Sequence, residues 1–261
     1  MIKKISIGKR VISDSNIPLV VAEISANHQN SLKKTIELLK KASKANVEAV
    51  KFQTFDLNEM NFDLNKKEFL IKKKFKTKNW NNRTLHSIYK EAQFPFEWHK
   101  KVFKEAKRLG LVVFSSVFDE KSLFFLEKLN VPMYKIASLE SLHFPLIEKV
   151  AKTKKPLIIS SGMAYLDEIA RTVRFAKEAG AKQLAVLHCT SVYPCEDKMV
   201  NLKAINTMEK SLNLPIGYSD HTEKNYTSIH ASSLGACMIE RHVKLENFKS
   251  VDSFFSSTIL S

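Results

Sequence analysis

Short, almost wholly apolar runs alternate along the chain with longer stretches in which apolar side chains return every three or four residues. The first pattern is that of a strand buried on both faces, the second that of a helix with one buried stripe. The apolar runs are Leu19 to Ile24, Ala49 to Gln53, Val112 to Ser116, Met133 to Ile136, Leu157 to Ser160, Leu184 to His188, Ile216 to Ser219 and Cys237 to His242. The helical period is clear over Leu32 to Ala45, Trp98 to Leu109, Lys121 to Leu129, Leu166 to Ala179, Leu202 to Leu212 and Tyr226 to Leu234. Gly110 and Gly180 each follow a helical stretch and precede a strand, where a left-handed cap favours glycine. Strand alternating with helix through eight strands, joined by right-handed crossovers, predicts a closed (β/α)8 TIM barrel spanning residues 1–261 as one domain. An open doubly wound sheet shares the alternation, but no glycine-rich nucleotide loop follows the first strand. Ahead of the barrel, two short apolar runs around Gly8 predict a hairpin within residues 1–14. Residues 54–96, after the second strand, are too long for a simple crossover and read as a lid or substrate loop, with a helix from Thr84 to Ala92.

Parallel strands in a barrel deliver their last residues to one mouth, and here those residues are polar. They include Glu23, Ser25, Asn27 and His28 from the first strand, Lys51 and Gln53 from the second, and Ser115 and Ser116 from the third. The later strands add Lys135, Ser138 and Glu140; Ser160 and Ser161; His188, Thr190, Ser191 and Tyr193; Ser219, Asp220 and His221; and Glu240 and His242, with Asp252 just beyond. Lysine inside an apolar strand is costly to bury without an anion. Two such lysines with several hydroxyls point to a phosphate and carboxylate site; an internal Lys–Glu network drawing on Glu23 and Glu140 is the alternative. His221 and His242 at two strand exits are either a divalent-metal pair or unrelated polar residues.

Composition narrows the classes further. Hydrophobic content of 44% supports a real core, and no run approaches a membrane span. A polar start without a signal sequence, and three cysteines without metal spacing, fit reduced thiols in a cytoplasmic protein. The net charge of +15 is spread over most helices, apart from the run Lys72 to Lys78, with no aromatic-interleaved pattern. It therefore reads as solvated surface that steers anionic substrates, not as a nucleic-acid interface.

Several segments, in order and over nearly the whole chain, resemble the sialic-acid (nonulosonic acid) synthases. They are Ala22 to His28, Val50 to Thr54, Phe114 to Asp119, Tyr134 to Glu140, Ser160 to Met163, His188 to Pro194, Gly217 to Thr222 and Glu240 to His242. The wording of Ser25 to His28, Pro95 to His99 and Val251 to Ser256 is most similar to the pseudaminic acid synthase branch. The resemblance implies condensation of phosphoenolpyruvate with an N-acetylated amino-hexose, of the 2,4-diacetamido-2,4,6-trideoxy-altrose type, by C–O cleavage. It also implies that Lys51, Ser116, Lys135, Ser138, Ser160, Ser191, Tyr193 and Ser219 hold phosphoenolpyruvate, and that His221 and His242 bind Mn2+ or Mg2+. Glu23, Glu140 and Asp252 would contact the acceptor or the metal-bound water, with Gln53 on the metal side or just behind it; His188, Cys189 and Cys237 are left as structural. N-acetylneuraminate and legionaminic acid synthesis differ only in the acceptor, and a barrel that binds or regulates without catalysis is a further reading.

The chain departs from that pattern in three ways. Family members form homodimers and continue through a last barrel helix and an antifreeze-like cap domain, so the expectation here is a barrel lacking both, with an apolar patch beside the first helix. Asn30 and Val117 stand where the family usually has glycine and proline. Neither change removes an expected ligand.

Overall fold

Each apolar run becomes a strand. The structure is a computed structural model that describes residues 3–64, 66–72, 80–247 and 249–259. The barrel strands are β3 (Leu19–Glu23), β4 (Ala49–Thr54), β5 (Val112–Val117), β6 (Tyr134–Ile136), β7 (Leu157–Ser160), β8 (Leu184–Cys189), β9 (Ile216–Asp220) and β10 (Met238–Lys244), after the hairpin strands β1 (Lys4–Ile7) and β2 (Arg10–Ser13). All eight are parallel and neighbours in chain order; β10 pairs with both β9 and β3, which closes the ring. A short strand, β11 (Ser257–Thr258), pairs with the end of β10 and was not expected from the sequence. Serine and threonine at the tail of an apolar run carry too little pattern to announce a two-residue strand.

The helices are α1 (Leu32–Lys44), α2 (Leu57–Met60), α3 (Leu85–Ala92), α4 (Phe96–Arg108), α5 (Glu120–Lys128), α6 (Phe144–Lys152), α7 (Leu166–Glu178), α8 (Ala204–Leu212) and α9 (Tyr226–Ser233). Side-chain caps fix several starts: Ser31, Thr84 and Asp119 each accept from a backbone N–H in the first turn of α1, α3 and α5. Gly110 and Gly180 adopt φ of +78° and +112° between helix and strand, as the cap reading requires. Asn30 also lies at positive φ (47°), which asparagine tolerates better than most residues. Among the described residues no helix follows β10; Val20 on β3 is 44% exposed and Ile17, just before it, 83% exposed. None of the described helices is long and apolar enough to cross a membrane.

Period-two alternation sorts the strand residues into two cores. Outward side chains such as Val50, Phe52, Val113, Tyr134, Ile159 and Val186 pack under the helices. Inward ones form the floor: Leu19, Val21, Ala49, Phe114, Met133, Ile158, Ala185, Leu187 and Met238, closed from below by Ile5, Ile7 and Ile12 of the hairpin. Two residues further along each strand the inward positions turn polar: Glu23, Lys51, Ser116, Lys135, Ser160, Cys189, Ser219 and Glu240. The barrel is thus an apolar plug beneath a polar layer.

Candidate active site

The polar layer is buried and ion-paired. Lys51, 2% exposed, forms an ion pair with Glu23, donates to Ser116 Oγ at 2.9 Å, and lies 3.8 Å from Glu240 Oε1. Lys135, 4% exposed, donates to Glu240 Oε1 at 2.5 Å, and Ser219 Oγ donates to the same oxygen at 3.2 Å. Strand register makes this possible, since Glu23 stands beside Lys51, Ser116 beside Lys135 and Glu240 beside Ser219. The sequence reading offered Glu23 and Glu140 as internal partners; the structure uses Glu23 and Glu240. Glu140 follows β6 in a tight turn, half-buried at the rim, and its Oε2 has no hydrogen-bond partner among the described residues.

Electrostatics divides the acids. Burial pushes the Glu23 carboxyl well above its ordinary range, opposed by Lys51 and reinforced by Glu240. Glu240 moves the other way: burial opposes its ionisation, but Lys135 and Lys51 outweigh it and hold it charged. The amines divide as well: burial works against the charge on Lys51, but Glu23 and Glu240 outweigh it and raise that amine, whereas burial outweighs Glu240 and lowers Lys135. Burial lifts Glu140 to about 7. In the unfolded chain Glu140 loses its proton near its ordinary value, whereas the folded protein keeps it until about pH 7. Raising the pH through that window therefore favours unfolding. Glu140→Gln should unfold at a higher temperature than the wild type at pH 8 and at the same temperature at pH 4, in thermal melts monitored by circular dichroism.

Hydroxyls ring the amines. Ser160 Oγ is 1% exposed and has no partner among the described residues. Ser138 and Ser191 converge over Gly162, where an added methyl group would lie 2.7 Å from Ser138 Oγ and collide outright with Ser191 Oγ. Gly162 thus keeps open a cradle that no side chain can share. Gly162→Ala, whose φ is unstrained, is expected to fold once the two serine hydroxyls rotate aside and to bind inorganic phosphate at least tenfold more weakly than the wild type, measured by isothermal titration.

The two histidines also meet. His221 and His242 have ring centroids 5.5 Å apart, with the tilted ring of Tyr193 4.2 Å from His221 and Phe255 4.8 Å from His242. His221 Nδ1 bonds to the Thr190 carbonyl at 3.0 Å, which directs Nε2 into the mouth. His242 Nδ1 is buried without a partner. Burial, His221 and the lysines hold His242 far below its usual range, so its ring is neutral. Burial acts against a charge on His221, but Cys189, Thr190 and Glu240 outweigh it and raise that ring. Among the described residues no group of three His, Cys, Asp or Glu side chains converges as a complete metal cage.

Sequence reasoning missed two members of the cluster. Cys189, set aside as structural, has its thiol 4.0 Å from His221 Nδ1 and 3.7 Å from Ser191 Oγ. Burial would raise that thiol, yet His221, Ser138 and Lys135 bring it down to about 7. Position two after Leu187 on an alternating strand was the available signal. Asp220 was noted only as a strand end. It is buried and accepts from Thr222, Thr227 and Arg241 Nη1, the last at 2.7 Å, which ties down the loop carrying His221. His188 points outward to the Val200 carbonyl at 2.6 Å, Cys237 is buried in the floor, and Gln53 lies half-buried one alternation above Lys51.

Asp252 closes the seam between β10 and β3, accepting from Ser25 Oγ at 2.5 Å. The excursion after β4 crosses there too: Trp80 Nε1 donates to the Val251 carbonyl at 2.9 Å, and its ring meets Phe254 and Tyr193. Most of the Lys72 to Lys78 run lies outside the described residues.

Fold and mouth together define a (β/α)8 enzyme-type barrel with a buried layer of lysine–glutamate pairs and hydroxyls beside a histidine pair. The chain belongs to the NeuB family, whose model matches residues 38–259. It is 36% identical over 238 residues to the pseudaminic acid synthase of Campylobacter jejuni subsp. jejuni serotype O:2, covering 91% of this chain and 68% of that protein. It is likewise 36% identical over 240 residues to the pseudaminic acid synthase of Helicobacter pylori, covering 92% and 69%. The N-acetylneuraminic acid synthetase of Leptospira borgpetersenii serovar Hardjo-bovis, solved with citrate, superposes with a TM-score of 0.87 at 27% identity over 99% of this chain and 85% of that one.

Proposed function

We propose that this chain condenses phosphoenolpyruvate with an N-acetylated amino sugar, 2,4-diacetamido-2,4,6-trideoxy-altrose, to give pseudaminic acid and inorganic phosphate. The observation that carries the reading is the buried Lys51–Glu23 and Lys135–Glu240 layer, ringed by serine hydroxyls of which Ser160 Oγ has no partner among the described residues, and set beside His221 and His242. Relatives named pseudaminic acid synthase, and one of known structure that holds a polycarboxylate, support the same choice.

In this reading Lys51 and Lys135 bind the phosphate and carboxylate, and Ser116, Ser138, Ser160, Ser191 and Ser219 donate to their oxygens. Tyr193, also expected at the phosphoenolpyruvate, packs its ring against Phe255 at the edge of that set. The enol C3 attacks the acceptor aldehyde, forming the C–C bond, and the aldehyde oxygen takes the proton that Glu23 holds. Water adds to the resulting cation-like C2, and one of its protons returns to the Glu23 carboxylate. The bond between C2 and the bridging oxygen then breaks: the C2 hydroxyl gives its proton to the departing phosphate, which leaves against the lysines, and C2 becomes the ketone. Asp252 and Glu140 sit on the rim, where the acceptor enters. A divalent ion, manganese or magnesium, fits the donor set, because His242 Nδ1 is a buried lone pair without a partner and His221 Nε2 faces the mouth. Bound there, it would supply Lewis-acid polarisation of the aldehyde.

A phosphate-release assay with purified protein, manganese, phosphoenolpyruvate and three acceptors tests the reading. Release should be fastest with the diacetamido-trideoxy-altrose, slower with the legionaminic precursor and N-acetylmannosamine. Faster release with either of the latter reassigns the acceptor, and none with any of them overturns the enzyme reading.

A further inference from the structure

We propose that Ser25 is a positioning residue that ties the two acids Glu23 and Asp252 into one unit. This inference rests on the function proposed above. Ser25 is 4% exposed and has φ of +43°, a left-handed conformation that disfavours a residue with a β-carbon. Such a conformation persists where its surroundings over-determine it, and they do so here. The Ser25 amide donates to Glu23 Oε1 at 2.9 Å, and its hydroxyl donates to Asp252 Oδ2 at 2.5 Å. An extended residue could not send amide and hydroxyl to acids on two different segments in this way.

The next two residues complete the clamp. The Ala26 amide also donates to Asp252 Oδ2, at 3.2 Å. Asn27, fully buried, donates to the Val243 carbonyl and to Ser256 Oγ, both at 2.8 Å, and accepts from Ser250 at 2.6 Å. The segment that leaves β3 therefore holds the loop that leaves β10, and the seam between first and last strands becomes a rigid mount for both carboxyls. Asp252 belongs to a loop with little regular structure; besides the hydroxyl, the Ala26 amide is the hydrogen-bond donor to its carboxylate among the described residues. Ser25 touches no substrate in this arrangement. It acts by aiming the Glu23 carboxyl at the water and the Asp252 carboxyl at the acceptor.

A double-mutant cycle with Ser25→Ala, Asp252→Asn and the pair tests the proposal, read as kcat and KM for phosphate release with melting temperature as control. Ser25→Ala should lower kcat about tenfold, the scale of one lost hydrogen bond to a charged group, with the KM for phosphoenolpyruvate unchanged. Asp252→Asn should cost more, and the double variant no more than Asp252→Asn alone. Ser25→Gly, which frees the backbone while deleting the hydroxyl, is the second variant should the alanine form fold poorly, and should show the same loss. Costs that multiply in the double variant, or Ser25→Gly turning over within twofold of the wild type, overturn the proposal and leave the proposed function standing. A wild type that releases no phosphate overturns both.

Discussion

Lys51→Met should fold but melt roughly 10 °C lower than the wild type near neutral pH and lose measurable affinity for phosphoenolpyruvate. Lys51 pairs with Glu23, bonds to Ser116 and stands 3.8 Å from Glu240 Oε1. Methionine fills the space of the side chain but leaves Glu23, which is 0% exposed, without its cation. Removing one partner of a buried pair typically costs about 3–5 kcal/mol, and each kcal/mol moves the melting point of a chain this size by about 2–4 °C. The pH dependence follows from the same imbalance. Glu23 already holds its proton more tightly than a free carboxyl, and loss of Lys51 strengthens that hold. The deficit should shrink as pH falls and Glu23 becomes neutral in both states. The pair Lys51→Met with Glu23→Gln should recover most of the melting point and none of the binding. Isothermal titration with phosphoenolpyruvate beside thermal melts gives both readings; a single variant that binds normally removes Lys51 from the anion site.

Glu23→Gln should do the reverse: retain the fold and lose turnover by roughly 10²–10⁴-fold, the usual contribution of a positioned acid–base group. Glutamine keeps the shape and the acceptor oxygen for the Ser25 amide, and burial already disfavours the charge it deletes. Its melting point should lie within a few degrees of the wild type, and the KM for phosphoenolpyruvate should change by less than about fivefold, since Lys51 and Lys135 keep Glu240 as counter-ion. Phosphate release in single turnover is the direct reading. Near-normal turnover would mean that a different group takes the proton from water.

The strands, and with them the members of the polar layer, could be read from the sequence because both follow one rule. A run buried on both faces is apolar throughout, so a lysine or glutamate in it stands out, as Lys51, Lys135 and Glu240 do. The partners of those residues could not be read. Lys51 and Glu240 meet across the closed ring, and nothing local distinguishes Glu240 from Glu140, which the tight turn after β6 carries to the rim instead. Cys189 looked like an ordinary buried thiol until the alternation of β8 placed it over the hydroxyls. Ser25 was visible as a polar strand end, but its left-handed backbone depends on contacts to Asp252, far along the chain, and propensity cannot supply those. The clamp at the seam is a tertiary feature for the same reason.

The condensation as argued breaks the bond between C2 and the bridging oxygen of phosphoenolpyruvate, with water supplying the new carbonyl oxygen. Phosphoenolpyruvate labelled with ¹⁸O at that bridging position, turned over with manganese and the diacetamido-trideoxy-altrose, tests this most directly. The label should appear in the released phosphate, detected by the isotope shift of its ³¹P resonance. Label retained in the sugar product would show phosphorus–oxygen cleavage and contradict the role given to Glu23, the water and the lysine-lined mouth.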